Sequence, residues 1–234
     1  MSAPAGAPPG DDAEQREQPP PLPRIRSPRY GRYVGLLGLV ILLSLLFNAI
    51  VSRPTGASGL APGTAMPPFA VPLALGGLPG DADIATHAND GEAGRVPACS
   101  ERGSRIMNIC ALYEQGPVVL AMFIDSGSCE RVLGEMQRLV AEYPAVRFAA
   151  LSIKGETAQL ARLIRRQGIT FPVGIDRDGA VAALYKVSTC PQVDFAYPGG
   201  RIAQRALLDT PTAAALRARV AGLSAAAARR DRGA

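Results

Sequence analysis

Residues 116–136, GPVVLAMFIDSGSCERVLGEM, decide the fold of this chain. Positions 118–124 are consecutive apolar residues, which is typical of a strand that is buried on both faces. Positions 129–136 then place apolar side chains at helical spacing. Cys129 stands at the junction, where backbone N–H groups and the helix dipole would stabilise a thiolate. The pattern therefore predicts a redox cysteine at a strand-to-helix turn.

Strand and helix patterns alternate along the rest of the domain. We expect strands at 69–73, 106–111, 117–124, 146–153, 171–175, 192–197 and 201–207. We expect helices at 129–143 and 156–167, a short helix ending at 185, and a last helix from 210 to 223. Helices interleaved with apolar strands predict a three-layer α/β domain with a mixed sheet, closed by an antiparallel hairpin.

Residues 34–51, VGLLGLVILLSLLFNAIV, predict a single transmembrane helix. Eighteen residues at about 1.5 Å each span roughly 27 Å, close to the thickness of a hydrocarbon core. A cleaved signal peptide would start earlier, and a buried soluble helix would have a polar face. The positive-inside rule puts the N-terminus in the cytoplasm and the domain outside, in a compartment that permits disulfides. The flanking charges are Arg24, Arg26, Arg29 and Arg32 before the helix and Arg53 after it.

Composition divides the 234 residues into five predicted segments. They are a disordered Pro-rich cytoplasmic segment (1–33), the transmembrane helix (34–51), a linker (52–65), a globular domain (66–223) and a disordered tail (224–234). The formal charge is +5, but Lys154 and Lys186 are the only lysines, and basic residues are not clustered with aromatic ones. We therefore exclude nucleic acid as a partner.

Five segments carry a family resemblance through their order and spacing. They are GPVVL at 116–120, the spacing from Cys129 to Glu135, Met136 and Leu139, the residues FPV at 171–173 with the pattern that follows to Val187, Pro191, and YPGGRI at 197–202. Together they resemble the thioredoxin-like superfamily, in particular membrane-anchored TlpA-like thiol–disulfide oxidoreductases and AhpC/TSA-related redoxins. The resemblance implies a thioredoxin-like three-layer fold, with Pro191 as a cis-proline beside the active site.

The active-site motif departs from the family pattern. The second cysteine of the usual CxxC motif is replaced by Val132, and the preceding tryptophan by Ser128. A peroxiredoxin would have proline seven residues before the cysteine, where Met122 stands, and Thr or Ser three before, which Ser126 satisfies. In this family the residue before the cis-proline lies against the active-site cysteine. The resemblance therefore implies that Cys190 lies beside Cys129.

The chain's four cysteines allow three fully paired connectivities. Cys99 and Cys110 are close in sequence and precede the core, so we expect them to close a local structural loop. Three functions stay open for the other pair. Cys129 could act as nucleophile with Cys190 as its partner, exchanging with protein thiols or a membrane redox partner. It could form a sulfenic acid as a one-cysteine peroxidase. Alternatively, a permanent Cys129–Cys190 bridge could hold a non-catalytic binding module.

Other candidate residues are weaker. His87 lies in a polar loop and is more typical of a solvated side chain than of a catalytic base. Glu135 is either a proton-transfer group beneath the cysteine or an exposed helix residue. Asp176 and Gly179 indicate a turn rather than a metal site. No His/Cys cluster has zinc spacing, so we expect neither a metal nor another cofactor.

Overall fold

The computed structural model describes residues 30–51, 59–209 and 211–233. The chain forms two units, Met1–Thr55 and Gly56–Ala234. The first contains helix α1 (Tyr30–Val51), which begins before the expected position 34. Among the described residues, no helix has both the length and the apolar character needed to span a membrane. In α1 the described side chains are those of residues 33–44. Residues 1–29 of the predicted disordered segment lie outside the described part.

The second unit contains seven strands and five α-helices within its described residues. In chain order they are β1 (Ala70–Pro72), β2 (Ile106–Asn108), α2 (Ile109–Gln115), β3 (Val118–Phe123), α3 (Arg131–Val140), β4 (Arg147–Ile153), α4 (Thr157–Gln167), β5 (Val173–Asp176), α5 (Ala180–Leu184), β6 (Gln192–Ala196), β7 (Ile202–Leu208) and α6 (Ala213–Gly233). β1 and β2 form an antiparallel pair. The other strands form one sheet in the order β5-β4-β3-β6-β7.

The five-stranded sheet is mixed, as predicted. β3, β4 and β5 are parallel, whereas β6 and β7 run antiparallel to their neighbours. Alternate residues of β3 face opposite sides: Val119, Ala121 and Phe123 pack with α3, α4 and α6. Val118, Leu120 and Met122 pack with α2, α5 and the β1–β2 pair. Every residue of β3 is buried, which explains its uninterrupted apolar sequence.

The domain begins earlier than the sequence predicts. We expected residues 52–65 to be a linker, but residues 59–65 pack along β7. The Gly63 N–H donates to the Ile202 carbonyl at 2.8 Å, and the Ile202 N–H donates to the Thr64 carbonyl at 2.8 Å. These contacts are backbone hydrogen bonds and need no apolar side chains. A stretch of small residues can therefore pair with a strand without showing an apolar pattern in the sequence. The linker prediction is therefore wrong for residues 59–65, while 52–58 lie outside the described residues.

The predicted disordered tail is helical in the structure. Helix α6 continues to Gly233 and buries one of its faces. The alanine-rich sequence does not indicate this face, because it lacks a clear pattern of large apolar residues. The Arg230 guanidinium also lies 3.8 Å from the centre of the Tyr197 ring. The expectation of disorder is therefore wrong for residues 224–233. The buried positions are Leu216, Val220, Leu223 and Ala227, at intervals of three and four residues.

Two local predictions also need correction. Residues 109–111 belong to helix α2 rather than to a strand, because the Asn108 side chain caps a helix by accepting from the Ala111 N–H. Helix α6 is capped by Thr212, whose Oγ1 accepts from the Ala215 N–H at 3.1 Å. Thr210, at which this helix was expected to begin, lies outside the described residues.

Candidate redox site at the Cys129–Cys190 disulfide

The strand pairing explains why two cysteines distant in sequence meet. Met122 near the end of β3 pairs with Gln192 at the start of β6. The chain leaving β3 and the chain entering β6 therefore share one edge of the sheet. Cys129 and Cys190 are disulfide-bonded there, with Cα atoms 5.5 Å apart and a sequence separation of 61. The proximity that the family resemblance implied is confirmed.

Pro191 joins the cysteine loop to β6. The Cys190–Pro191 peptide bond is cis, as the resemblance implied, and Pro191 is buried. Cys190 thus occupies the last position before the strand, next to the loop that follows β3. The arrangement presents a disulfide at the edge of the sheet, where a loop is available to contact a partner.

The two sulfurs differ in their exposure to solvent. Cys129 is only 4% exposed and packs into the hydrophobic core under α3. Cys190 is partly exposed and packs against the margin of that core. The Ile124 backbone N–H donates to Cys190 Sγ at 3.2 Å, and the Ile124 side chain is 44% exposed. One sulfur of the bridge is therefore enclosed, while the other borders the surface.

Helix α3 begins later than the sequence predicts. It starts at Arg131, and Cys129 lies in the turn before it. The N–H groups of Cys129 and Glu130 both donate to the Ser126 carbonyl, at 2.8 and 3.2 Å. Neither amide is thus directed at a sulfur. The expectation that the helix terminus stabilises a Cys129 thiolate stays a prediction, because Cys129 is disulfide-bonded in the structure.

Two carboxyl groups flank Cys129. A hydrogen bond with the Asp125 side chain, followed by burial and the Asp125 charge, raises the pKa of Glu130, while Arg166 opposes the shift. Glu130 follows Cys129 in the same turn, so the carboxyl with the raised pKa lies beside the disulfide. The sequence does not single out this pair, because adjacency to the cysteine does not reveal how the turn folds.

At position 132, where the CxxC motif would have its second cysteine, the side chain of Val132 packs in the core. Val132 is buried and contributes to the same hydrophobic cluster as Cys129. Ser128, at the position of the usual tryptophan, is exposed. A dithiol within the helix turn is thus replaced by a bridge from the turn to the cis-proline loop.

The other predicted residues lie elsewhere. Glu135 forms an ion pair with Arg138 at 2.7 Å, and its side chain is 26% exposed, so it is a partly exposed helix residue. The exposed His87 ring shares a hydrogen bond of 2.9 Å with Thr86 Oγ1, as expected of a polar loop. The Asp176 carboxylate accepts from the N–H groups of Gly179 and Ala182, which confirms a turn leading into α5.

Cys99 and Cys110 form the second disulfide, with Cα atoms 5.3 Å apart and a sequence separation of 11. Cys110 is buried in the first turn of α2. The local pairing that the spacing predicted is confirmed. Among the described residues, no group of His, Cys, Asp and Glu side chains could hold a metal ion.

A buried polar pair on β6 was not foreseen. Asp194 is fully buried, and burial raises its pKa to about 6 although the Gln192 amide donates to it at 2.9 Å and lowers the pKa. Within the part of the chain that the structure describes, Asp194 Oδ1 and Gln192 Oε1 have no hydrogen-bond partner. The signal was available in the sequence, because an Asp inside an apolar strand is unusual.

Comparisons with known proteins agree with the fold described above. Residues 105–207 match the model of the AhpC/TSA family. The thiol-disulfide oxidoreductase ResA of Oceanobacillus iheyensis is 36% identical over 76 residues, which are 32% of this chain and 40% of that relative. The match thus spans about two fifths of that curated relative's length.

Solved structures with low sequence identity show the same fold. A candidate thiol:disulfide interchange protein DsbE from Chlorobium tepidum is 16% identical, with a TM-score of 0.53 over 70% of this chain and 99% of that one. Peroxidoxin BcpB from Mycobacterium tuberculosis is 13% identical, with a TM-score of 0.50 over 73% and 98%. The globular domain of this chain therefore has the thioredoxin-like fold, and residues 105–207 within it are similar to the AhpC/TSA family.

Proposed function

We propose that this protein is a thiol–disulfide oxidoreductase that cycles the Cys129–Cys190 pair against thiols and disulfides of partner proteins. The observation that carries the proposal is the bridge itself, which joins an enclosed sulfur to a partly exposed one at the edge of the sheet. In one cycle the bridge accepts two electrons and two protons, and two partner thiols become one partner disulfide. The reverse cycle reduces a partner disulfide.

The redox potential of the bridge tests this proposal against a permanent structural bridge. The full-length chain is equilibrated in glutathione or dithiothreitol buffers, and the bonded fraction of Cys129 and Cys190 is measured by mass spectrometry. A potential above about −300 mV supports exchange, whereas a value well below it indicates a structural bridge. Reduction of insulin should be lost in Cys129→Ser and retained in the matched control Cys99→Ser/Cys110→Ser.

The one-cysteine peroxidase is a weaker alternative. A peroxidatic cysteine must be a free thiolate, whereas Cys129 is bonded and flanked by the carboxyls of Asp125 and Glu130. Nearby negative charge disfavours a thiolate. Peroxide consumption by a chain that retains only Cys129 would revive this alternative.

Residues 34–51 anchor the protein in the cell membrane in this proposal, with the redox domain on the extracytoplasmic side. The support is the uninterrupted apolar sequence, the arginines on its N-terminal flank and the pairing of all four cysteines. The full-length chain should stay in the membrane fraction during alkaline extraction, and deletion of 34–51 should release it. Protection of the domain from protease added outside spheroplasts would contradict the orientation.

A further inference from the structure

We propose that Cys190, on the cis-proline loop, is the sulfur that forms the mixed disulfide with the partner, and that Cys129 is the resolving sulfur. This inference rests on the proposed exchange function and reverses the roles that the sequence order suggests. It assigns the partner-facing chemistry to the loop before β6 rather than to the start of α3.

Access to the two sulfurs carries the first step. A thiolate attacks a disulfide by approaching one sulfur directly, so the attacked sulfur must be reachable. Cys129 is 4% exposed and is enclosed by the core beneath α3. Cys190 is partly exposed, and the neighbouring Ile124 presents an apolar side chain that is 44% exposed. A protein partner can therefore reach Cys190 without opening the core.

Thiolate stabilisation carries the second step. The Ile124 N–H donates to Cys190 Sγ at 3.2 Å, and a hydrogen bond to a charged sulfur is stronger than one to a neutral sulfur. Among the described residues no N–H group donates to Cys129 Sγ, and the N–H groups of Cys129 and Glu130 donate to the Ser126 carbonyl. Glu130, the residue after Cys129, adds negative charge beside Cys129 when its carboxyl is ionised. After reduction, Cys190 is thus the sulfur better suited to be the nucleophile.

The electrons balance in two exchanges. The Cys190 thiolate attacks a partner disulfide, a Cys190–partner bond forms, and the released partner sulfur leaves as a thiolate and takes a proton from water. Cys129 then gives its proton to water and attacks Cys190 Sγ. The Cys129–Cys190 bond reforms, the second partner thiolate leaves, and the partner has gained two electrons. In the reverse direction the partner thiolate attacks Cys190, by microscopic reversibility.

Trapping distinguishes the two assignments. The full-length single variants Cys129→Ser and Cys190→Ser are incubated in detergent with glutathione disulfide, and adducts are located by mass spectrometry. Cys129→Ser should accumulate a stable glutathione adduct at Cys190. Cys190→Ser should react more slowly, by about tenfold or more, because its remaining sulfur at Cys129 is enclosed by the core. A faster, stable adduct at Cys129 would overturn the assignment.

A second measurement avoids the variants, in case either folds poorly. The reduced parent chain is pulsed with iodoacetamide, and the two alkylation rates are compared. Faster alkylation of Cys190, by about tenfold or more, supports the assignment, and equal or inverted rates overturn it. If the parent chain does not exchange with glutathione disulfide at all, the proposed function fails. The alkylation ratio still decides which sulfur is the reactive one.

Discussion

Asp194 is a carboxylic acid within the apolar side of the sheet that packs against α5. Gln192 donates to it, but Asp194 Oδ1 has no partner, so ionisation places a charge in a poorly solvated site. Burial raises the pKa from 3.8 to about 6. The uncharged acid therefore fits this site better than the carboxylate does.

The pH dependence of stability should reveal this group. The folded-state pKa of Asp194 is raised. The contribution of this side chain to the free energy of unfolding is therefore fully present below about pH 4 and is lost as pH rises through about 6. The shift of about two units corresponds to about 3 kcal/mol between these limits. Asp194→Asn, which is uncharged, should be flatter than the parent in urea unfolding between pH 4.5 and 7.5. Asp81→Asn, which removes an exposed carboxylate, is the matched control. Parallel curves for the parent and Asp194→Asn would contradict the account.

Glu130 should influence the reactivity of Cys129 through its charge. Removing the carboxylate next to Cys129 relieves repulsion of the thiolate and should increase the thiolate fraction of Cys129 in the reduced chain. Glu130→Gln should then raise the rate of Cys129 alkylation at pH 8 by roughly threefold in the reduced chain.

The control for Glu130 lies in the same helix region. Glu135→Gln removes the same charge from a side chain that is already paired with Arg138. Its effect on Cys129 should be smaller. Equal acceleration by both variants would indicate a general effect of net charge rather than the local pair of Asp125 and Glu130.

At the level of elements, β5 joins the sheet to the β1–β2 pair through a close approach at Gly174. A β-carbon there would overlap Val71 Cγ2 and lie 2.7 Å from Met107 Cε. Gly174→Ala should therefore force the pair away from β5 and lower the free energy of unfolding by about 1–3 kcal/mol. Chemical denaturation measures the loss.

Gly134 provides the opposite case within α3. Its nearest foreign atom to a new β-carbon is Gln167 Oε1, at 3.5 Å, which is an ordinary contact. Gly134→Ala should stabilise the domain by about 0.5–1 kcal/mol, because alanine favours the helix. The same loss in both variants would show that the close approach at Gly174 is not what constrains β5.

The central elements were predictable because each had a periodic apolar pattern. β3 is an unbroken apolar run, and Gly168 ends α4 in the left-handed conformation, with φ at 61°. The elements that were missed lack such a pattern. Residues 59–65 are held by backbone hydrogen bonds, and the end of α6 buries a small alanine face.

The candidate site was predictable only in part. The resemblance brought Cys190 to Cys129, but the burial of Cys129 and the Asp125–Glu130 pair depend on the turn before α3. The Ser126 carbonyl shapes that turn by accepting two N–H groups. Nothing in the residue pattern distinguishes this turn from a helix that starts at the cysteine, so the reactivity of each sulfur could not be inferred before the fold.

At the level of the whole molecule, the two disulfides lie on opposite sides of the sheet. Cys129 belongs to the core on the α3 side, whereas Cys110 is buried on the side of α2 and α5. Asn108 reinforces the second bridge, because its side-chain amide donates to the Ala98 and Glu101 carbonyls at 2.7 Å each. The separation predicts that the Cys99–Cys110 bridge stabilises the fold without taking part in exchange.

Removing the Cys99–Cys110 bridge should therefore cost stability and spare chemistry. A loop closed over 11 residues of separation corresponds to about 3 kcal/mol of chain entropy, and the Asn108 hydrogen bonds remain to hold the segment. Cys99→Ser/Cys110→Ser should unfold at lower urea concentration while it keeps the parent's rate of exchange with glutathione disulfide. Cys129→Ser, in contrast, should lose turnover even at low urea concentrations, at which the domain is still folded. If removal of the Cys99–Cys110 bridge abolished exchange in a domain that is still folded, the two disulfides would be coupled and the division of roles would be wrong.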